Sequence, residues 1–419
     1  MKPSDADSTA RAARADARPV AQPPPPAGGG GRVEVLDLLR GIAIIGTLGT
    51  NIWLFTHPLG PASAFLDIPE ADSVGGAVEV ALRALTNGKF LALLTILFGV
   101  GLGLQYRSAL RRGRAWPGRY PWRATLLFLE GLLHFVLVFE FDVLMGYALV
   151  SMIVVYLMVR GDGWARVWLV GAAVLHLLLV AAVTASLVPT NDGSGGSASA
   201  ETTPAPAWVE VYETGSWVDQ LGTRLDNALL FRLEMVLILP MGVALFLVGA
   251  RLLRAGAFER GERGDRLRRR LAWWGLGAGV PLNAVTAFAG PDWFLVDRYV
   301  VPPLVALGLL GLITEWALRT TGGPGPLRRG VSAVGRTALS CYVFQNLAAS
   351  VLCYGWGLGL AAAWDGARPW WPVVAWAVIV AVFMVGATLW LRRFERGPLE
   401  IVLHAAYSAP RRASARRGR

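Results

Sequence analysis

Long apolar stretches alternate with short polar segments through most of this chain. Ten of the stretches approach the length of about 20 residues that a helix needs to cross a hydrocarbon core of about 30 Å. The predicted spans are residues 34–55, 85–106, 123–140, 142–159, 165–188, 228–250, 271–290, 295–318, 336–360 and 371–391. The pattern therefore predicts an all-α, polytopic bundle of about ten transmembrane helices, with the lipid bilayer as its surroundings.

The polar ends of the chain mark the limits of this bundle. Residues 1–32 contain PPPP and GGGG runs and almost no bulky apolar side chain, a composition typical of disorder. We place the transmembrane domain at residues 33–404 and a basic cytoplasmic tail at 405–419. Within the domain, the outer segment 189–227 begins rich in Ser and Gly and becomes amphipathic, which favours a helix on the membrane surface.

Arginines are concentrated in alternate loops. The segments 107–123 and 251–270 carry most of the arginines between spans, whereas the loops on the other side are mainly acidic. The positive-inside rule makes the basic loops cytoplasmic, which leaves both termini in the cytoplasm. Topology thus accounts for the net charge of +11. We expect no nucleic-acid partner, since no basic domain or base-reading motif accompanies the charge.

The first span carries two polar pairs. Asp37 and Arg40 lie near its cytoplasmic end and share a helical face. They either pair locally at the headgroups or anchor the cytoplasmic mouth of a buried site. Asn51 and His57 lie near the outer end, where they indicate either interfacial polarity or a polar outer site. His57 is the best candidate for a base that works near neutral pH.

The second span begins with an unusual lysine and contains three spaced glycines. Lys89 is the one lysine outside the N-terminal tail, so it is either a specific partner of a buried group or an interfacial side chain that reaches the headgroups. The glycines Gly99, Gly101 and Gly103 predict close packing against a neighbouring helix.

Carboxylates and a histidine gather around the third span. Glu130 and His134 are one turn apart at membrane depth, so they should face the bundle interior, as a structural hydrogen bond or as a proton relay or site wall. Glu140 and Asp142 flank a tight hairpin at the outer surface. We expect solvent around them, with cation or substrate contact as the alternative.

Further polar residues occur in spans six and nine. Arg232 and Glu234 lie in the outer third of span six. In span nine, Gln345 and Asn346 fall near the middle of the membrane, where interhelical hydrogen bonding is the usual role of amides. Arg336 lies at the cytoplasmic end of the same span.

The sequence offers no familiar metal or nucleotide motif. The four histidines have no companion Cys or carboxylates at metal-ligand spacing, so no metal site is predicted. A Walker loop, a GxSxG elbow and a dinucleotide fingerprint are also missing from the sequence, which disfavours ATPases, hydrolases of that type and oxidoreductases.

Four segments in a fixed order resemble the YeiB family of bacterial membrane proteins, which carries domain of unknown function 418. These segments are LDLLRGIAIIGTLGTN in span one, NGKFLALLTILFGVGLGL in span two, GRTALSCYVFQN in span nine and RGPLE after span ten. The resemblance covers residues 32–404. It implies a multi-pass protein of the bacterial cytoplasmic membrane, for which transport is the activity commonly suggested.

The first span is also similar, more distantly, to transmembrane acyltransferases such as heparan-α-glucosaminide N-acetyltransferase. That group has a D-x-x-RG start, an Asn at the far end of the same helix and a His shortly after it. The pattern maps onto Asp37, Arg40, Gly41, Asn51 and His57. The resemblance implies acyl-CoA as the donor, with His57 and Asn51 in catalysis.

Two hypotheses for function follow. In the first, acyl-CoA enters from the cytoplasm, loop arginines hold its phosphates, and its acyl end reaches a site near Lys89. His57 then takes a proton from a hydroxyl or amine acceptor on the outer side, while Asn51 donates a hydrogen bond to the developing oxyanion. No further cofactor is required by the sequence.

In the second hypothesis, Glu130, His134, Arg232 and Glu234 form a central pathway for a proton-coupled small solute, since ionisable residues inside a membrane often mark such pathways. Either way the partner is a small-molecule substrate, and the sequence leaves the oligomeric state open. The predicted substrate-binding residues are Asp37, Arg40, Lys89, Glu130, His134, Arg232, Glu234, Arg336 and Asn346.

Overall fold

The protein is an all-α bundle, as predicted. The computed structural model describes residues 29–187, 206–320 and 323–417, and every regular element in those ranges is helical. Most of the predicted tail 1–32 and the first part of the outer segment 189–227 lie outside the described residues. The helices of ten residues or more are α1 (Gly29–Phe55), α2 (Val74–Thr86), α3 (Lys89–Arg111), α4 (Tyr120–Leu137), α5 (Leu144–Leu157), α6 (Asp162–Leu187), α7 (Trp217–Asp226), α8 (Glu234–Arg254), α9 (Glu262–Gly277), α10 (Gly279–Phe288), α11 (Pro302–Arg319), α12 (Pro326–Arg336), α13 (Ala338–Cys353), α14 (Trp370–Trp390) and α15 (Pro398–Arg417).

The described helices have the length and composition of a membrane protein. Six helical segments are long and apolar enough to cross a bilayer: Glu34–Phe55, Val74–Arg111, Asp162–Ser186, Ala228–Arg254, Pro291–Arg319 and Trp370–Trp390. The shorter helices α5 and α13 are apolar as well. A count of ten spans and a cytoplasmic location for both termini stay predictions.

Several predicted spans are divided in the structure, and two of them show where the helices break. The stretch 271–290 lies on α9 and α10, which part at Ala278. Gly275 on α9 approaches α11 so closely that a Cβ there would lie 2.4 Å from the Cα of Gly308. The stretch 336–360 begins at the end of α12, and its continuous helix is α13 alone. Gly275, Gly277 and Gly279 near the first break lower the helical propensity. Hydropathy does not report this effect.

The centre of the bundle is formed by α1, α3 and α8. Gly99 on α3 and Gly249 on α8 allow the two helices to meet, because a Cβ on either would lie 2.1 Å from a backbone oxygen of the other helix. At the periphery, α6 and α14 have only 11% and 17% of their most apolar windows buried, against 78% for α1. These outer helices therefore turn most of their apolar surface towards lipid.

The helix α12 crosses α1 at a second pair of glycines. A Cβ on Gly335 would lie 1.7 Å from the backbone oxygen of Asp37, and a Cβ on Gly41 would lie 1.9 Å from that of Val331. This close approach brings the end of α12, with Arg336, to the same end of the bundle as Arg40.

The C-terminal helix α15 packs back onto the bundle. Its Glu400 accepts hydrogen bonds from the backbone N–H of Leu339 (2.9 Å) and the hydroxyl of Ser340 (2.5 Å), at the start of α13. Arg119, just before α4, donates to the backbone oxygen of Tyr407 (3.0 Å). The segment 405–417, predicted as part of a tail, therefore continues this packed helix.

Candidate functional site

A cavity of about 610 Å³ lies between α1, α3, α4, α13 and α15. This volume is in the range of roughly 300–1,000 Å³ typical of small-molecule sites. Its inner wall is apolar and includes Ile44, Leu94, Leu97 and Leu144, all of them buried. Its mouth carries four arginines, which are Arg40, Arg123, Arg336 and Arg396. We call the end of the bundle at which this cavity opens the arginine-rich end.

The arginines at the mouth have few protein partners. Arg40 donates to Asp37 at 3.0 Å and also lines the cavity, so the local pair forms at the mouth itself. The guanidinium groups of Arg123, Arg336 and Arg396 make no hydrogen bond or ion pair with any residue that the structure describes. Planar guanidinium groups bind phosphate and carboxylate oxygens well, so this mouth suits an anionic ligand.

The inner end of the cavity is formed by Tyr342 of α13, which adjoins a buried histidine and carboxylate. Nδ1 of His134, on α4, lies 2.9 Å from Oδ1 of Asp142. The hydroxyl of Tyr342 lies 3.5 Å from the same oxygen, and the backbone N–H of Met145 donates to Oδ2 at 3.1 Å. The side chains of His134 and Asp142 are only 1% and 0% exposed, so this pair is shielded from solvent.

A series of hydrogen bonds extends from His134 towards the opposite end of the bundle. Nδ2 of Asn346 donates to Nε2 of His134 at 3.4 Å, and Nδ2 of Asn51 donates to Oδ1 of Asn346 at 3.3 Å. We call Tyr342, Asp142, His134, Asn346 and Asn51 the buried polar chain. With Nδ1 of His134 donating to Asp142, the lone pair of Nε2 accepts the N–H of Asn346, so Nε2 is the nitrogen available to act as a base once that contact is displaced.

Of the two alternatives for Glu130 and His134, the structural hydrogen bond is wrong, and the proton relay or site wall stays a prediction. His134 pairs with Asp142 instead, and both carboxylate oxygens of Glu130 are buried without a hydrogen-bond partner among the described residues. The expectation that Glu140 and Asp142 are solvated is also wrong, because they are 0% and 4% exposed. The link between α4 and α5 folds inward rather than forming an exposed hairpin.

This link is covered by the outer segment. Arg224 of α7 binds Glu140 at 2.6 Å, with both side chains fully buried, and also donates to the backbone oxygens of Val136 and Val138, each at 3.2 Å. The hydroxyl of Tyr212 donates to the same carboxylate oxygen at 2.7 Å. Residues 206–226 thus form several short helices packed on the bundle, where one surface helix was expected. We call this part of the molecule, together with the loop after α1, the sealed end.

His57 lies in that loop and is engaged on both sides of its ring. Nδ1 accepts the backbone N–H of Leu59 at 3.1 Å, and Nε2 lies 2.5 Å from Oδ2 of Asp67. Burial and the nearby Arg368 lower the pKa of His57 despite the hydrogen bond to Asp67. His57 makes no contact with Asn51 and does not line the cavity, so the structure does not bring the two predicted catalytic residues together.

The remaining predicted site residues belong to different clusters. Lys89 is buried and donates to the backbone oxygen of Ala84. Arg232 lies over the ring of Phe135 and donates to the backbone oxygen of Asp142 at 3.0 Å. Glu234 binds Arg298 at 3.1 Å, away from the cavity lining.

Comparison with known proteins identifies the family of this chain. A family model described as "Protein of unknown function (DUF418)" matches residues 252–409. The uncharacterized protein YxaH of Bacillus subtilis is 27% identical over 90% of this chain and 94% of its own length. The uncharacterized protein YeiB of Escherichia coli is 30% identical over 87% of this chain and 93% of its own length. The chain belongs to the YeiB-like DUF418 family. No solved structure matches it.

In this DUF418 protein, the segment matched by the family model supplies one side of the cavity and part of the buried polar chain. It includes Tyr342, Asn346, Arg396 and Glu400. Sequence reasoning did not select Tyr342 or Arg396 as site residues, and it expected solvent around Asp142. The RGPLE motif after the last span was a signal for Arg396, since it contains this arginine and the glutamate that anchors α15.

Proposed function

We propose that this DUF418 protein is an acyltransferase of the bacterial cytoplasmic membrane. It takes an acyl group from cytoplasmic acyl-CoA and passes it to a hydroxyl or amine acceptor at the outer face. The observation that carries the proposal is a single cavity with a basic mouth, an apolar interior and a buried His134–Asp142 pair beyond its inner end.

The donor fits the cavity in two parts. Its phosphates bind the guanidinium groups of Arg123, Arg336 and Arg396, which have no described protein partner to displace. Its acyl end enters the apolar interior towards Tyr342. By the positive-inside rule the arginine-rich end is cytoplasmic, the side on which acyl-CoA is made available.

The chemistry centres on His134. Asp142 holds the imidazole with Nε2 unprotonated, so Nε2 takes the proton of the acceptor as its oxygen or nitrogen attacks the thioester carbon. The tetrahedral intermediate then expels the thiolate of CoA. The amide of Asn346, which contacts Nε2, and the amide of Asn51, which donates to Asn346, supply hydrogen-bond donors for the oxyanion.

This proposal assigns the base to His134 where the resemblance implied His57. Both nitrogens of His57 are engaged, one by a backbone N–H and one by Asp67. The imidazole of His57 therefore has no free lone pair near the cavity, whereas Nε2 of His134 is engaged by the weak 3.4 Å contact with Asn346.

The test uses the full chain in sealed vesicles with labelled acetyl-CoA on the arginine-rich side and amine or hydroxyl acceptors on the other. Transfer should fall by about 10²–10⁴-fold in His134→Ala, the usual contribution of a general base, and change little in the matched variant His57→Ala. Equal rates for His134→Ala and the parent would overturn the proposal. Loss in His57→Ala alone would return the base to that residue.

A second candidate is proton-coupled transport of a small solute. Its supporting observation is that Glu130, buried and without a hydrogen-bond partner, lies one turn from His134 on the same helix. Uptake into proteoliposomes that follows an imposed pH gradient and is lost in Glu130→Gln would favour transport. Transfer of label from acetyl-CoA without solute uptake would favour the enzyme.

A further inference from the structure

Glu130 is the one acidic side chain of the described bundle interior whose two oxygens are both buried with no hydrogen-bond partner. It lies on the face of α4 that also carries Leu127 of the cavity wall and, one turn further on, His134. Its position is therefore between the cavity and the buried polar chain.

The groups that surround Glu130 are acidic or neutral. Asp142 from the link after α4 and Glu400 from α15 both act on it electrostatically, and Tyr342 of α13 is also within range. On its own helix the nearest titratable group is His134, which is already paired with Asp142. No arginine or lysine among the described residues pairs with Glu130.

An ionised carboxylate in this position would be buried, unpaired and next to two other carboxylates. Burying an unpaired charge costs several kcal/mol, and neighbouring carboxylates add repulsion. A neutral carboxylic acid avoids both costs.

We propose that Glu130 is held as a neutral carboxylic acid that exchanges its proton between the cavity and the His134–Asp142 pair. In acyl transfer, on which this step rests, His134 gains a proton from the acceptor and the thiolate of CoA needs one. Glu130 releases its proton into the cavity, where the thiolate takes it. The imidazolium of His134 then returns a proton to the Glu130 carboxylate, and both groups are restored.

The first test does not depend on activity. A hydrophobic carbodiimide adds across a protonated carboxylic acid to form a stable acylurea, which mass spectrometry locates after digestion. In the detergent-purified full chain, Glu130 should be labelled near neutral pH, and the labelling should fall by about tenfold per pH unit once the pH exceeds its pKa. Glu234, whose carboxylate is paired with Arg298, should stay unlabelled and is the internal control.

A second test links this proton to turnover. Glu130→Gln keeps the shape and the neutral charge of the side chain but cannot exchange a proton. This variant should therefore fold like the parent and lose acyl transfer. Glu130→Asp should recover part of the transfer rate with a shifted pH profile. Absence of label on Glu130 at every pH, or full turnover in Glu130→Gln, would overturn this inference. If Glu130 is labelled but the protein never transfers an acyl group, the neutral state of Glu130 stands. That result would overturn only the proposed function.

Discussion

The two ends of the bundle use arginine in opposite ways. At the sealed end, Arg224 is fully buried and binds Glu140 at 2.6 Å together with two backbone oxygens. At the arginine-rich end, Arg123, Arg336 and Arg396 surround an open cavity and pair with no described residue. Arginine is thus a structural element in the Arg224–Glu140 pair and a group available to a ligand at the cavity mouth.

The difference shows what the number of arginines in a loop can and cannot predict. The positive-inside rule accounts for the number of arginines in the loops, but it treats all of them alike. Which arginine has a partner depends on where carboxylates fold inward, as Glu140 does at the link between α4 and α5.

The largest expected effect is on stability at the sealed end. Arg224→Ala would leave the buried carboxylate of Glu140 without its cation and should destabilise the protein by about 3–5 kcal/mol. Thermal unfolding in detergent measures the change. The matched variant Arg336→Ala, at a residue with no described partner, should stay within about 0.5 kcal/mol of the parent. Equal losses for the two variants would break the comparison between the ends.

The next effect is on ligand affinity at the arginine-rich end. Arg336→Ala and Arg396→Ala should each weaken binding of acetyl-CoA by about tenfold to a hundredfold, the worth of a hydrogen bond to a charged group. Isothermal titration with the detergent-purified chain measures this, and unfolding temperatures serve as the control. Unchanged affinity in the double variant would show that the mouth does not hold the phosphates.

Two glycines of α3 allow helix packing and the cavity to be tested separately. A Cβ on Gly99 would lie 2.1 Å from the backbone oxygen of Phe246, so Gly99→Ala should cost about 1–3 kcal/mol of stability. A Cβ on Gly101 meets no atom within 4 Å, and Gly101 lines the cavity. Gly101→Leu should therefore keep the stability and lower ligand affinity. The reverse result would contradict the position of the cavity.

The smallest effect is a pH dependence at the sealed end. The pKa of His57 is lowered below its ordinary value of 6.5 in the folded protein, so the unfolded chain binds more protons there. Stability should fall as the pH drops through about 6.5 towards the folded pKa. Unfolding temperatures measured between about pH 7.5 and about pH 5, the range in which histidine titrates, test this. The decline towards low pH should be weaker in His57→Gln than in the parent.

Sequence reasoning predicted the features that depend on nearby residues. The apolar stretches predicted an all-α membrane bundle, and the spacing of Asp37 and Arg40 predicted their ion pair. The interhelical role of Asn346 is also confirmed. Each of these follows from hydropathy or from helical periodicity, which act over a few turns.

The features that were missed depend on contacts between distant segments. The pair His134–Asp142 requires the link after α4 to fold inward, and hydropathy alone favoured a solvated hairpin. The cavity requires α15 to pack on α4 and α13, although the basic composition from residue 405 onwards indicated a tail. Gly101 followed the same spacing as Gly99, yet it lines the cavity instead of a helix crossing.

The most direct test of the account is the binding of acetyl-CoA to the purified full chain, compared between the parent, Gly101→Leu and the double variant Arg336→Ala/Arg396→Ala. The account predicts saturable binding to the parent at one site, with weaker binding in both variants and unfolding temperatures close to the parent. Equal binding to all three proteins, or no binding to a folded parent, would contradict it.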